Sequence, residues 1–213
     1  MGYLKGSIGA LEEGEIDQGA ALLVEAFGDR PFYRYLAPDP VDRQEFLTVN
    51  FALRLREGFG VSDIQVFREE TGRITGIALW APPALGPKPE ASAEASAEAS
   101  ALEAALAGFS PGLRERFFGF LALLTSARDK AVQQPYWSLA PLAVLPSAQG
   151  QGIGGALLRA KLQDLDEAGQ RCFLATQDQC NAALYEHFGF KTLGQDPLPG
   201  SSLIHYTLVR HLP

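Results

Sequence analysis

The residues Gln149-Gly150-Gln151-Gly152-Ile153-Gly154-Gly155 carry most of the chemical information in this chain. Glycines at 150, 152 and 154 leave no side chains between the backbone and an approaching anion, so successive N–H groups can turn into one concavity. An amphipathic helix is predicted to begin at once, through Leu157, Leu158, Lys161, Leu162 and Leu165, and to close near Gly169. Its unpaired amides and the positive end of its dipole complete a site suited to a pyrophosphate, with no lysine required. Just upstream, Trp137–Leu145 is a near-continuous apolar run of strand length, stopped by Pro146, and suits the centre of a sheet.

Strand, glycine turn and helix admit more than one reading. A P-loop needs Gly-Lys-Ser/Thr after the turn, and Gly154-Gly155-Ala156 stands there instead. Gly150, Gly152 and Gly155 do fit a dinucleotide fingerprint, with Asp178 downstream, but too little chain follows for a doubly wound NAD domain. A glycine turn without a ligand is the remaining bland alternative.

The elements that must position this turn are legible to different degrees. Strands are predicted near Ser7–Leu11, at Asp63–Arg68 and at Arg73–Trp80, the last two joined through Glu70-Thr71-Gly72. Ile16–Phe27 carries an apolar stripe at Ala20, Leu23, Val24 and Phe27. Val41–Glu57 repeats it through Phe46, Val49, Leu53 and Leu55. After Pro82-Pro83 comes a biased tract, Ala91–Ala107, with Glu90, Glu94 and Glu98 four apart. It reads as a solvated, partly mobile helix or linker. Ser110-Pro111 opens a helix expected to reach Gln133, with Phe117, Phe120, Leu121 and Leu124 inward. Residues 1–213 are read as one domain, with 84–133 a helical insertion.

Composition sets the outer bounds. The net charge of −7 and the lack of a Lys/Arg cluster argue against nucleic acid. No run approaches a membrane span and no secretory h-region opens the chain, so a cytoplasmic location is expected. Cys172 and Cys180 read as two reduced thiols, and no ligand-spaced His/Cys cluster points to a metal.

Three segments in order bear a resemblance to a known family. The Gln149-x-x-Gly152-x-Gly154 loop resembles the pyrophosphate loop of the GNAT N-acetyltransferase superfamily. Asn181-Ala-Ala-Leu-Tyr185-Glu-His-Phe-Gly189-Phe190 looks like its Asn…Leu-Tyr-x-x-x-Gly-Phe helix. Gly76-Ile-Ala-Leu-Trp80-Ala-Pro-Pro83 is similar to the third strand of the puromycin-acetyltransferase-like branch. The resemblance implies a mixed α/β (α+β) fold: a six- or seven-stranded, mostly antiparallel sheet with helices on both faces. Strands 137–145 and 171–176 would be parallel neighbours joined by a right-handed crossover. It also implies acetyl-CoA as co-substrate, no metal, a small-molecule amine acceptor and, commonly, a homodimer.

Residue by residue, the resemblance implies that Leu142, Ala143 and Val144 border the pantetheine arm, with main-chain pairing from Leu142 and Val144. Amides of Gln149, Gly150, Gln151, Gly152, Ile153, Gly154 and Gly155 would hold the pyrophosphate, and Asn181 the pantetheine arm. Tyr185 would protonate the leaving thiolate, the alternative being a core aromatic. Two departures stand out. Asp178 occupies the position where much of the superfamily has its Asn, and Ala175 stands where related sequences often carry a carboxylate. Glu25, Asp29, Glu45 and His205 are the candidate bases for the amine proton, none of them singled out. Ser138 is a candidate lining residue for the acetyl pocket, and Phe27, Phe32, Tyr33 and Tyr35 for the acceptor site. The expected activity is acetyl transfer to a primary amine by direct attack. A non-catalytic acyl-CoA sensor and an NAD-binding oxidoreductase are the alternatives.

Overall fold

The computed structural model describes residues 4–83 and 102–211. Its strands are β1 (Gly6–Ala10), β2 (Asp63–Glu69), β3 (Ile74–Ala81), β4 (Trp137–Val144), β5 (Cys172–Thr176), β6 (Lys191–Pro197) and β7 (Ile204–Arg210). They form one sheet in the order β1-β2-β3-β4-β5-β7-β6. Only β4 and β5 run parallel; every other pairing is antiparallel. That topology excludes a doubly wound nucleotide domain, whose sheet is mostly parallel.

The helices are α1 (Ile16–Phe27), α2 (Pro31–Leu36), α3 (Pro40–Gly58), α4 (Pro111–Ala131), α5 (Ile153–Glu167) and α6 (Gln179–His187). A further helical turn covers 102–106. Neighbouring residues of β3 show that helices lie on both faces, because successive strand side chains point opposite ways. Ile77 meets α1, where a Cβ built on Gly19 would lie 3.2 Å from it. A Cβ on Gly76 would lie only 2.6 Å from Ile153 Cγ2 of α5. The same alternation on β7 turns His205 toward Phe120 of α4, while Arg210 bonds the carbonyl of Phe188 just past α6.

The cap signals hold locally. Asp39 accepts from Val41 N and Asp42 N at the start of α3. Ser110 Oγ accepts from Leu113 N at the start of α4, and Asp178 accepts from Cys180 N and Asn181 N at the start of α6. Asp178 is therefore spent on a helix cap.

Stripe phase is where the structure departs from expectation. On α3 the buried residues are Arg43, Phe46, Leu47, Phe51, Leu55 and Gly58, while Val49 and Leu53 border an outer groove. On α4, Leu113, Phe117 and Ala127 are buried, whereas Phe120, Leu121 and Leu124 are half-buried. Both helices pack against other helices as well as the sheet, so their apolar arcs are wider than one stripe. α2 was not foreseen as a helix; Pro31 at its first turn and the Phe32, Tyr33 and Leu36 spacing make it one. The Ala-Ser-Ala-Glu tract lies outside the described residues as far as 101. Among the described residues, no helix is long and apolar enough to cross a membrane.

Candidate active site

β4 and β5 pair only over Trp137↔Cys172, Ser138↔Phe173 and Leu139↔Leu174. Beyond that point β4 continues to Val144 beside β3, and β5 continues to Thr176 beside β7. The sheet is therefore split along its middle. Pro141 lies in this stretch of β4 and has no N–H to donate to a neighbouring strand. β4 also carries one extra residue opposite Ala78–Trp80, a bulge that turns the strand away from its neighbour.

The split leaves main-chain groups of β4 facing an open slot. Leu145 N bonds Thr75 O, which sets the phase of the antiparallel ladder. Ala143 shares that phase and directs its backbone at β3, whereas the backbones of Leu142 and Val144 point away from β3. Leu142 and Val144 can pair with an extended ligand; Ala143 can contribute only its side chain. The Val144 carbonyl already accepts from Gln149 Nε2 at 3.0 Å, and a carbonyl oxygen can accept a second bond.

The glycine turn stands at the mouth of this slot. Gly150 and Gly152 have φ of 77° and 89°, a left-handed conformation open to glycine, and a Cβ at either would meet nothing within 4 Å. Gly152 is the N-cap of α5 and supplies no side-chain cap. Among the described residues, the amides of 150–155 donate to no backbone or side-chain acceptor, and Ala156 N is the first to bond, to Gly152 O. An anion there completes the helix end. Arg159, one turn along, lies 5.9 Å from the centre of the Phe188 ring, beside Gly155.

Asn181 and Tyr185 lie four residues apart on α6 and so share a face. Asn181 is exposed and its amide is held by the Asp178 cap. Tyr185 is half-buried, its ring 5.9 Å from that of Phe190. Burial pushes its phenol above the ordinary tyrosine range, and the nearby Cys172 thiol and Asp178 carboxylate push the same way. Tyr185 is therefore a proton donor throughout the neutral range. It is neither a fully enclosed core ring nor hydrogen-bonded to any described residue.

Residues 113–192 match the acetyltransferase (GNAT) domain family, a span that holds the split strands, the glycine turn, α5 and α6. That match covers under half of the chain. Solved structures share its architecture. The Corynebacterium glutamicum protein described as histone acetyltransferase HPA2 and related acetyltransferase superposes with a TM-score of 0.72 at 20% identity, covering 98% of this chain and 97% of that one. The Drosophila melanogaster polyamine N acetyltransferase gives 0.64 at 20% identity, covering 97% and 100%. The Escherichia coli GNAT family N-acetyltransferase YhbS, solved in complex with CoA, gives 0.54 at 17% identity, covering 100% and 84%. At these identities the likeness establishes the GNAT fold.

The candidate bases are scattered. Glu25 lines a groove of about 820 Å³ between the outer sides of α1 and α3, away from the slot. Asp29 pairs with Arg34 at 3.0 Å on the surface, and Glu45 is exposed. His205 is fully buried, its Nδ1 accepting from Gln177 Nε2 at 2.9 Å and its ring edge-on to Phe120 at 5.8 Å. Burial drives its pKa down to about 4, partly opposed by the Asp196 carboxylate, so it is neutral at pH 7. Its Nε2 has no partner. Ser138 and Ala175 are half-buried and sit at the closed end of the split and beside it. Among the aromatic candidates, Phe27, Phe32 and Tyr33 form one cluster with Phe51, and Phe32 reaches Phe120 of α4. Tyr35 stands apart, donating to Pro199 O in the β6–β7 loop.

Proposed function

We propose that this protein transfers an acetyl group from acetyl-CoA to a primary amine by direct attack. The observation that carries this reading is the uncapped start of α5 at Gly152, its amides unpaired, opening onto the slot between β4 and β5. The donor set fits the co-substrate. Amides of Gly150 to Gly155 suit a pyrophosphate, whereas that of Gln149 is given to the Pro146 carbonyl. The backbones of Leu142 and Val144 and the side chain of Asn181 suit the amides of a pantetheine arm. The co-substrate would supply a thioester, an acyl group activated toward amines.

This chain's residues would do the rest. The neutral amine forms a bond to the acyl carbon as the carbon–sulfur bond breaks. Its surplus proton leaves to water. The Tyr185 hydroxyl protonates the departing sulfur and is itself reprotonated by solvent. The likeness of Gly76–Pro83 to the puromycin-acetyltransferase-like branch rests on sequence alone, as do the cytoplasmic location and the homodimer.

The test is thermal stability with acetyl-CoA, CoA and NAD, each at about 1 mM. A ligand at 100 times its Kd adds about 2.7 kcal/mol to the native state, a rise in Tm of a few degrees at this size. Stabilisation by acetyl-CoA and CoA but not NAD is expected; stabilisation by NAD alone would overturn the reading. A second reading, a non-catalytic acyl-CoA sensor, is favoured by Ala175 and by the absence of a base at the slot. Binding without turnover across a broad amine panel would decide for it.

A further inference from the structure

Arg54 occupies an anomalous position on α3. The helix buries Arg43, Leu47, Phe51 and Gly58, a series at helical intervals and therefore one side of the cylinder. Arg54 falls three residues after Phe51 and four before Gly58, in the middle of that inward stripe. It is nevertheless exposed, and Asn50, one turn earlier, is only half-buried. Its side chain therefore starts from the inward stripe and still reaches water.

The neighbours of this stripe can be named. On one flank of the stripe, Gly58 abuts Leu79 and Ile64 of the sheet, a Cβ there lying 3.2 and 3.6 Å from their methyls. On the other flank, Phe46 meets the rings of Phe109 and Phe117 at 6.0 and 5.2 Å. By helical phase Arg54 falls between the two. Tyr33 lies beside Phe51 of the same stripe, its ring 5.9 Å from Phe51 and 5.5 Å from Phe27.

The two arginines of this stripe behave differently. Arg43 gives its guanidinium to the carbonyls of Gly28, Ala37 and Pro38 and serves the fold. Arg54 makes no hydrogen bond or ion pair among the described residues. Surrounding protein lowers its pKa by desolvation, and the neighbouring Tyr33 and the Glu57 carboxylate partly offset this. Burial in turn pushes the Tyr33 phenol up to about 12, so its hydroxyl stays a donor at neutral pH. A planar guanidinium fork beside a neutral hydroxyl is an arrangement for a carboxylate, and it repels a polycation.

We propose that Arg54, assisted by the Tyr33 hydroxyl, binds a carboxylate of the acceptor, making the substrate an amine that also bears an acid, such as an α-amino acid. This rests on the acetyl-transfer reading above and names its substrate class. The small side chains of Ala81, Ser138, Ala140 and Ala175, all half-buried in the middle of the sheet, leave room beside the split for such a molecule.

The experiment compares matched pairs of amines, aromatic and aliphatic α-amino acids against their decarboxylated counterparts, with polyamines alongside. It uses wild type, Arg54→Gln and Arg54→Lys. In the wild type, kcat/KM should favour the acid-bearing member of at least one pair by about tenfold or more, the worth of a charged hydrogen bond. Arg54→Gln should abolish that preference through KM, Arg54→Lys should keep part of it, and both should retain the wild-type Tm and acetyl-CoA shift. Equal or better turnover of the decarboxylated amines, turnover of polyamines alone, or an unchanged preference in Arg54→Gln would overturn the inference while acetyl transfer stands. Acetyl-CoA binding with no turnover of any acid-bearing amine would also overturn it. Failure of the wild type to bind acetyl-CoA would bring down the acetyl-transfer reading, and this inference with it.

Discussion

The side-chain amide of Gln149 donates to the main-chain carbonyl of Val144 at 3.0 Å, tying the glycine turn back onto the strand that borders the slot. The bond is exposed, so it contributes little to folding, but it holds the turn in register with β4. Gln149→Ala should leave Tm within a degree or two of wild type and weaken CoA binding several-fold, one ordinary hydrogen bond being worth about 1 kcal/mol. Titration calorimetry with CoA measures it. Unaltered affinity would show that the bond does not organise the turn.

Gly152 is the point at which both backbone conformation and charge can be perturbed. At φ of 89° any other residue is strained by about 1–2 kcal/mol, and an aspartate adds a negative charge where the pyrophosphate is proposed to sit. Gly152→Asp should lose the acetyl-CoA thermal shift entirely, while Gly152→Ala, carrying the strain alone, should keep part of it. Equal shifts in both variants would place the anion elsewhere.

Tyr185→Phe removes a hydroxyl that has no described partner and keeps the ring contact with Phe190. Stability should not change. If the phenol protonates the leaving sulfur, kcat should fall by about 100-fold or more with little change in the KM for acetyl-CoA. A drop in Tm with kcat preserved would instead make Tyr185 a packing residue.

His205 makes stability depend on pH. Its folded pKa is about 4 against an ordinary 6.5, because the fully buried ring resists charging. Between those values the unfolded chain binds more protons than the folded one, so stability rises with pH from about 4 to 6.5 and then levels off. The depression corresponds to about 3 kcal/mol, lost progressively as pH falls through that window. The facing groups are Gln177, Phe120 and Asp196, of which only the last carries charge. Urea unfolding as a function of pH should show this slope in the wild type and a flatter one in His205→Leu. Asp166 contributes in the same direction at lower pH: its pairing with Arg210 depresses the carboxyl, and the stabilisation disappears as that group protonates. Parallel slopes in wild type and His205→Leu would mean the imidazole does not titrate with unfolding.

Much of this protein is written in local sequence. The bounds of α1 follow from its apolar spacing and Gly28, α4 starts where Ser110-Pro111 says, and the glycine turn shows its anion-binding character through residue types alone. These are short-range effects: caps, φ preferences and helical periodicity act within a few residues. Tertiary structure decided the rest. Trp137–Val144 reads as an uninterrupted strand, and nothing in it says that β5 leaves after Leu139; that depends on a bulge and on which strand the backbone of each residue faces. The phase of α3 was likewise settled by what packs around it. Val49 and Leu53 look like core and border a groove, while Arg54 looks like surface and falls in the middle of the inward stripe. A helix with apolar residues on several sides can be rotated without changing its pattern, and only its neighbours, distant in sequence, choose the face.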